Sequence, residues 1–138
     1  MTKEEQLELF AYYEPVSLSD PRDQSIAEMV DEFAVAADQP KDILMSKKLV
    51  LEEFQELVDE WSDSASKPEN RLKEMGDLVY VLFANARAEG YDLEEAVKRI
   101  HKNNMGRMFQ PDGTIKRRDD GKILKNKEYP KVYLKDLT

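Results

Sequence analysis

The stretch EEFQELVDEW, residues 52–61, places Glu52, Glu53, Glu56, Asp59 and Glu60 within ten residues. Like charges at helical spacing repel one another, so the stretch is either a solvated helix face or a face that holds a cation. On a helix turning about 100° per residue, Val50, Phe54, Leu57, Val58 and Trp61 fall on one side, the side expected to meet the core. Glu53, Glu56 and Glu60 form the stripe beside it, while Glu52 and Asp59 point further toward solvent. A second stretch, KEMGDLVYVLFANA, repeats the theme. Leu72, Met75, Leu78, Val79, Leu82 and Phe83 define a broad apolar face, and Glu74 and Asp77 share another stripe. From Asp77 onward this segment is apolar nearly all round, the pattern of a helix buried on most sides. A carboxylate beside such a helix is costly unless paired or bound to metal.

One E-x-x-E pair is ordinarily a solvated face. Two i,i+3 carboxylate pairs on successive antiparallel helices can instead converge on one point. Glu53, Glu56, Glu74 and Asp77 would offer only hard oxygen ligands there, a donor set for Mg²⁺ or Mn²⁺ and not for zinc. Mg²⁺ combines a few carboxylates with water and substrate phosphates.

The elements that must position these groups can be read from breakers and caps. Residues 4–13 suit a short first helix. In SDPRDQ, Asp20 as N-cap and Pro21 at the first helical position start a helix that carries Ile26, Met29, Val30 and Phe33 inward and ends near Asp38. A helix from about Asp42 to Ser62 follows. The serine-rich SDSASKPENR is a loop, and residues 69–88 form the next helix, ended by Gly90. Asp92, with Glu95 three residues on, is a capping-box-like start for a helix reaching about Met108. QPDGT and DDGK then signal turns, and the pieces between them, TIKRR and KILK, suit a small hairpin at most. The expectation is one all-α domain over residues 1–138. It comprises a four-to-five-helix bundle over 1–108 and a short irregular or hairpin tail over 109–138.

Composition narrows the class. The chain has 138 residues, enough for one modest core, and no cysteine, which excludes disulfides and thiolate metal sites. The opening MTKEEQLELF lacks the apolar run of a signal peptide, and no apolar stretch approaches a membrane span. A cytoplasmic protein is expected. The net charge of -8 is unevenly placed: residues 1–97 hold 9 Lys/Arg and 24 Asp/Glu, residues 98–138 hold 12 and 5. An acidic surface repels nucleic acid, so no stable nucleic-acid binding is expected. A cation-binding half and a phosphate-binding half serving one ligand fit this asymmetry better.

The motif Glu52-Glu53-Phe54-Gln55-Glu56, a spacer, then Glu74-Met75-Gly76-Asp77 resembles the E-E-x-x-E and E-x-x-D signature of the MazG-like all-α nucleoside triphosphate pyrophosphohydrolases. IHKNNMGRM, residues 100–108, is similar to the H-R-x-N-x-S-K segment of the phosphoribosyl-ATP pyrophosphohydrolase-like phage and bacterial subgroup, which includes dUTPase-like and dGTP-hydrolysing members. DGTIKRRDDGKILKNKEY resembles that subgroup's D-G-x-x-x-R-x-D-G-K-x-x-K tail, and EFAVAADQP its F-H-x-A-x-G-x-P segment. The likeness covers about residues 28–130. Ala34 stands where the subgroup has histidine, Asp38 where it has glycine, and Gly106-Arg107 where it has serine-lysine.

The resemblance implies hydrolysis of a nucleoside triphosphate, dGTP-like or dUTP-like, to monophosphate and pyrophosphate, with Mg²⁺ or Mn²⁺ and two or more ions per site. Glu53, Glu56, Glu74 and Asp77 would be the metal ligands, and Glu52 and Glu53 the catalytic pair. Glu52 could accept a proton from the attacking water or bind a further ion; a solvated glutamate is equally natural there. Lys102, Asn104, Arg107, Lys122, Lys125 and Tyr129 would bind substrate. Arg107 could grip phosphate oxygens bidentately, and Asn104 offers both donor and acceptor. His101, the one histidine, is not needed as a base. The apolar faces, with Tyr12, Tyr13, Trp61 and Tyr80, exceed what one bundle would bury, and the family commonly pairs subunits, so a homodimer or higher oligomer is expected. Two other readings remain open: a non-catalytic acidic interaction protein or nucleic-acid mimic, and a nucleotide sensor that binds without cleaving.

Overall fold

A computed structural model describes residues 2–5 and 20–138, the side chain of Arg22 excepted. Residues 3–5 form a helical turn; the rest of the helix expected over 4–13, with Tyr12 and Tyr13, lies outside the described residues. The described chain is mostly helical. It comprises α1 (Ile26–Ala36), α2 (Ile43–Ser62), α3 (Pro68–Glu89) and α4 (Leu93–Arg107), then a hairpin of β1 (Lys116–Arg117) and β2 (Ile123–Leu124). Two 3-10 turns, Pro21–Asp23 and Lys135–Leu137, flank these elements. Among the described residues no helix is long and apolar enough to cross a membrane.

The helix starts follow their caps. Asp42 accepts from Met45 N–H at 3.0 Å and starts α2; Asp92 accepts from Glu95 N–H at 3.0 Å and starts α4. Glu95 does not complete the capping box, because its carboxylate takes Arg99 Nε instead, at 3.2 Å. Pro21 begins only a 3-10 turn. The helix starts at Ile26, because Ser25 Oγ accepts from Glu28 N–H at 3.1 Å and caps it.

Two helices end alike. Gln39 N–H donates to Ala34 O (2.8 Å) and Asp38 N–H to Val35 O (3.1 Å) after α1, while Tyr91 N–H reaches Ala86 O (2.8 Å) after α3. In each a left-handed residue reverses the chain: Gly90 at φ 79 after α3, but Asp38 at φ 50 after α1.

Helices α2 and α3, joined by residues 63–67, pack along much of their length, and α1 lies on α3. Among the described residues, Val30 and Ala34 of α1, Leu57 of α2, and Phe83 and Ala86 of α3 are the buried apolar residues, with Ser46 the buried polar one. Ser46 is satisfied twice: its Oγ donates to Ile43 O at 2.9 Å and accepts from Asn85 Nδ2 at 3.0 Å across the helix pair. By contrast α4 contributes no buried residue; it touches α1 and the C-terminal 3-10 turn.

The inward faces differ from expectation in one systematic way. Phe54 (48% exposed) and Trp61 (55%) of α2 and Leu72 (71%) of α3, expected in the core, are open to solvent within one chain, and so is Phe33 of α1. The helical period placed them correctly on apolar faces. Among the described residues nothing covers those faces.

Candidate metal centre

The antiparallel register of α2 and α3 decides which carboxylates meet. In an antiparallel pair, descending one helix matches ascending the other. The Ser46–Asn85 contact therefore puts Glu53 level with Asp77 about two turns further along, and Glu56 level with Glu74 about three. Carboxylate oxygens of Glu53, Glu56 and Glu74 all lie within 4.8 Å of one another. Glu53 and Glu74 are half-buried and Glu56 is exposed.

Each of the two half-buried glutamates carries an oxygen with nothing to bind. Glu53 Oε2 and Glu74 Oε2 are buried and accept no hydrogen bond among the described residues. Buried polar atoms are nearly always paired, so both oxygens are available to a cation; Glu94 Oε2 is unpaired in the same way but belongs to no such cluster among the described residues. Glu74, whose side chain is 14% exposed, shows the strain directly. Burial pushes its carboxyl above the ordinary value, and a shared hydrogen bond with Glu56 and repulsion from Glu56 and Asp77 push the same way, while the Lys73 charge opposes them. A donor set of three carboxylates with free hard oxygens fits a divalent ion such as Mg²⁺.

Asp77 stands at the right level but faces elsewhere. Lys73 Nζ donates to Asp77 Oδ2 at 2.7 Å and lies 3.7 Å from Glu74 Oε1. The Asp77 hydrogen bond is the largest influence holding the Lys73 ammonium above its ordinary value. Lys73 thus supplies the positive charge nearest this cluster. The sequence reading passed over it, although its position four residues before Asp77 and next to Glu74 was the available signal. Glu52 is exposed, on the solvent side of α2.

A second feature adjoins the cluster. A cavity of ≈ 490 Å³ opens between α1, α2 and α3, lined by Phe33, Ala34, Leu49, Tyr80, Val81 and Ala84 among others. Leu49 is one turn from Glu53 and Val81 one turn from Asp77, about 5.4 Å along each axis. Phe33 and Tyr80 meet edge to face at 6.0 Å and 83°. Burial, and then the Glu32 carboxylate, push the Tyr80 phenol up, so it keeps its proton at neutral pH. Arg87, on the cavity wall, is tied to Asp31 at 2.8 Å.

The basic residues lie apart from the carboxylates within one chain, since α4 and the hairpin make no extensive packing with α2, nor the hairpin with α3, among the described residues. Lys102, Asn104, Lys122 and Lys125 are exposed, and His101 likewise. Lys125 borders a cavity of ≈ 410 Å³ with Gln110, Lys116 and Lys127. Arg107 is half-buried, with its Nε buried and donating to nothing among the described residues. The Tyr129 ring sits against Gly106.

The sequence model of the phosphoribosyl-ATP pyrophosphohydrolase family matches residues 3–104, a span that contains all four helices but for the last turn of α4. No curated protein matches the chain.

Proposed function

The chain belongs to the phosphoribosyl-ATP pyrophosphohydrolase family, and from that premise we propose that it is a Mg²⁺-dependent nucleoside triphosphate pyrophosphohydrolase. It would cleave a (deoxy)nucleoside triphosphate, dGTP-like or dUTP-like, to monophosphate and pyrophosphate. The observation that carries this reading is the meeting of three carboxylates, with an oxygen each of Glu53, Glu56 and Glu74 within 4.8 Å of one another, where Glu53 and Glu74 each also carry a buried oxygen with no hydrogen-bond partner among the described residues. An acidic mimic of nucleic acid would spread its charges over exposed faces and has no use for buried, unpaired ones.

In this reading Glu53, Glu56 and Glu74 would hold the cation, and Asp77, now paired with Lys73, would be a further ligand. A bound divalent ion supplies neutralisation of the phosphate oxygens and lowers the pKa of water. Glu52, one residue from the cluster and open to solvent, takes the proton of the attacking water, with Glu53 completing the catalytic pair. The cavity beside the cluster receives the base, its ring lying along Tyr80 and Phe33. Ala34 and Ala84 leave its wall uncrowded. Lys102, Asn104, Arg107, Lys122 and Lys125 meet the phosphates and sugar.

The basic residues reach the carboxylates through a second copy of the chain. On α3, Leu72, Met75, Val79 and Leu82 recur at helical spacing and are all exposed, as are Leu44, Leu51, Phe54 and Trp61 of α2. Such a stripe on a protein of this size marks an interface. Acidic helices and a basic C-terminal third attract each other between copies. These two features support a homodimer or higher oligomer.

The test is a panel of ribo- and deoxynucleoside triphosphates, with phosphoribosyl-ATP included, assayed with Mg²⁺ or Mn²⁺ and read for products. Monophosphate and pyrophosphate from at least one deoxynucleotide supports the proposal. No turnover of any of them, or release of orthophosphate, rejects it.

A further inference from the structure

The C-terminal segment returns along α4 as a strap. Asn126 N–H donates to Arg107 O (2.7 Å), Asn103 Nδ2 to Pro130 O (2.8 Å), and Arg99 Nη1 to Tyr133 O (3.1 Å). The Arg99 guanidinium also forks onto Asp136 at 2.7 and 2.9 Å, and Asp92 N–H donates to Leu137 O at 3.0 Å. These contacts descend the helix as the strap advances. At the upper end Tyr129 is seated on Gly106: a Cβ at that glycine would lie 2.3 Å from both Cζ and Oη of the ring. The ring occupies space that a side chain on any other residue would fill. Glycine inside a helix is less favourable than alanine, and here its missing Cβ makes room for the ring.

Next to the seat, Arg107 Nε is buried with no acceptor among the described residues. A buried guanidinium donor without a partner is suited to an anionic oxygen, and phosphate is the anion the proposed reaction brings. We propose that Tyr129 is a positioning residue: seated on Gly106, its ring pins the strap over the end of α4 and holds the Arg107 guanidinium in the pose that receives a substrate phosphate. This rests on the pyrophosphohydrolase reading for the identity of the anion, and on the geometry alone for the seat.

Gly106→Ala fills the seat. The colliding atoms are the far end of a side chain that can swing away, so the ring is displaced and the helix stays intact. Gly106→Ala and Tyr129→Ala should each raise KM for the triphosphate roughly tenfold, the scale of one misaligned charge-assisted hydrogen bond, with kcat nearly constant. The double variant should be no worse than either single one, since both remove the same contact. Tyr129→Phe, which keeps the ring, should recover most of the loss. A second readout needs no nucleotide: in ¹⁵N NMR spectra the Arg107 Nε–H should exchange slowly with water in the parent protein and quickly in both variants. Parent-like KM in Tyr129→Ala, additive losses in the double variant, or Nε–H exchange indifferent to both substitutions would overturn the proposal. If the parent protein hydrolyses no nucleotide, the pyrophosphohydrolase reading fails and the exchange measurement alone decides the seat.

Discussion

Adding Mg²⁺ should stabilise this protein, and Glu74→Gln should remove most of that gain. Mg²⁺ takes oxygens at about 2.0–2.1 Å in octahedral geometry, so neighbouring ligand oxygens end about 2.9 Å apart. The oxygens of Glu53, Glu56 and Glu74 already lie within 4.8 Å, so binding asks for side-chain rotations of about 2 Å or less, with the helices in place. A ligand that binds only the folded state at about 100 times its Kd adds about 2.7 kcal/mol. For 138 residues, unfolding entropy near 2.1 cal/mol/K per residue turns that into a rise in Tm of roughly 9 °C. Calorimetry with and without Mg²⁺ reads it directly. Glutamine keeps the shape of Glu74 and removes one of three charges, so the variant should show a third of the shift or less at the same Mg²⁺ concentration. A variant that keeps the full shift, or a parent protein with none at saturating Mg²⁺, would refute the cluster as the site of binding.

Three further outcomes follow from named contacts. The folded pKa of Glu74 is raised above 4.5, chiefly by burial, so its contribution to stability is whole below pH 4.5 and is lost as pH rises through the folded value. In chelator, Glu74→Gln should therefore gain stability over the parent as pH climbs above 4.5, and denaturation curves whose difference is flat with pH would contradict this. Lys73 competes with metal for Asp77 at 2.7 Å, so Lys73→Gln should tighten Mg²⁺ binding about two- to fivefold, the scale of an exposed ion pair; weaker binding by isothermal titration would argue that the lysine assists the cation. Asp38→Gly should stabilise the fold by about 1 kcal/mol, because a non-glycine residue at φ 50 carries a left-handed penalty and a carboxylate opposes the helix dipole there. A lower midpoint in urea for that variant would show that the Asp38 side chain makes a contact worth more than the strain.

Much of this was legible in the chain because it is local. Asp42, Asp92, Pro68 and Gly90 set helix ends within one or two residues, and the turns at Gly113 and Gly121, both at positive φ, bracket the hairpin strand pieces as TIKRR and KILK imply. The i,i+3 spacing of Glu53 with Glu56, on a helix packed against that of Glu74, foretold three carboxylates in one place. What escaped depends on distance along the chain. Asp20 was the expected cap, but Ser25 is the residue with Glu28 N–H in front of it. The exposed faces of Phe54, Trp61 and Leu72 were read as core because helical period reports an apolar face and not what covers it. The Tyr129–Gly106 seat joins residues 23 positions apart through an irregular strap, and no periodicity encodes such a contact. Asp77 was expected at the site from its stripe and from the E-x-x-D motif; neither tells that the lysine one turn before it donates to its carboxylate.

If Glu53, Glu56 and Glu74 jointly hold a divalent cation, anomalous scattering from crystals grown with Mn²⁺ should show a manganese peak coordinated by oxygens of all three glutamates, with Asp77 turned from Lys73 toward it. Manganese bound elsewhere with those three carboxylates still hydrated and apart would contradict joint binding.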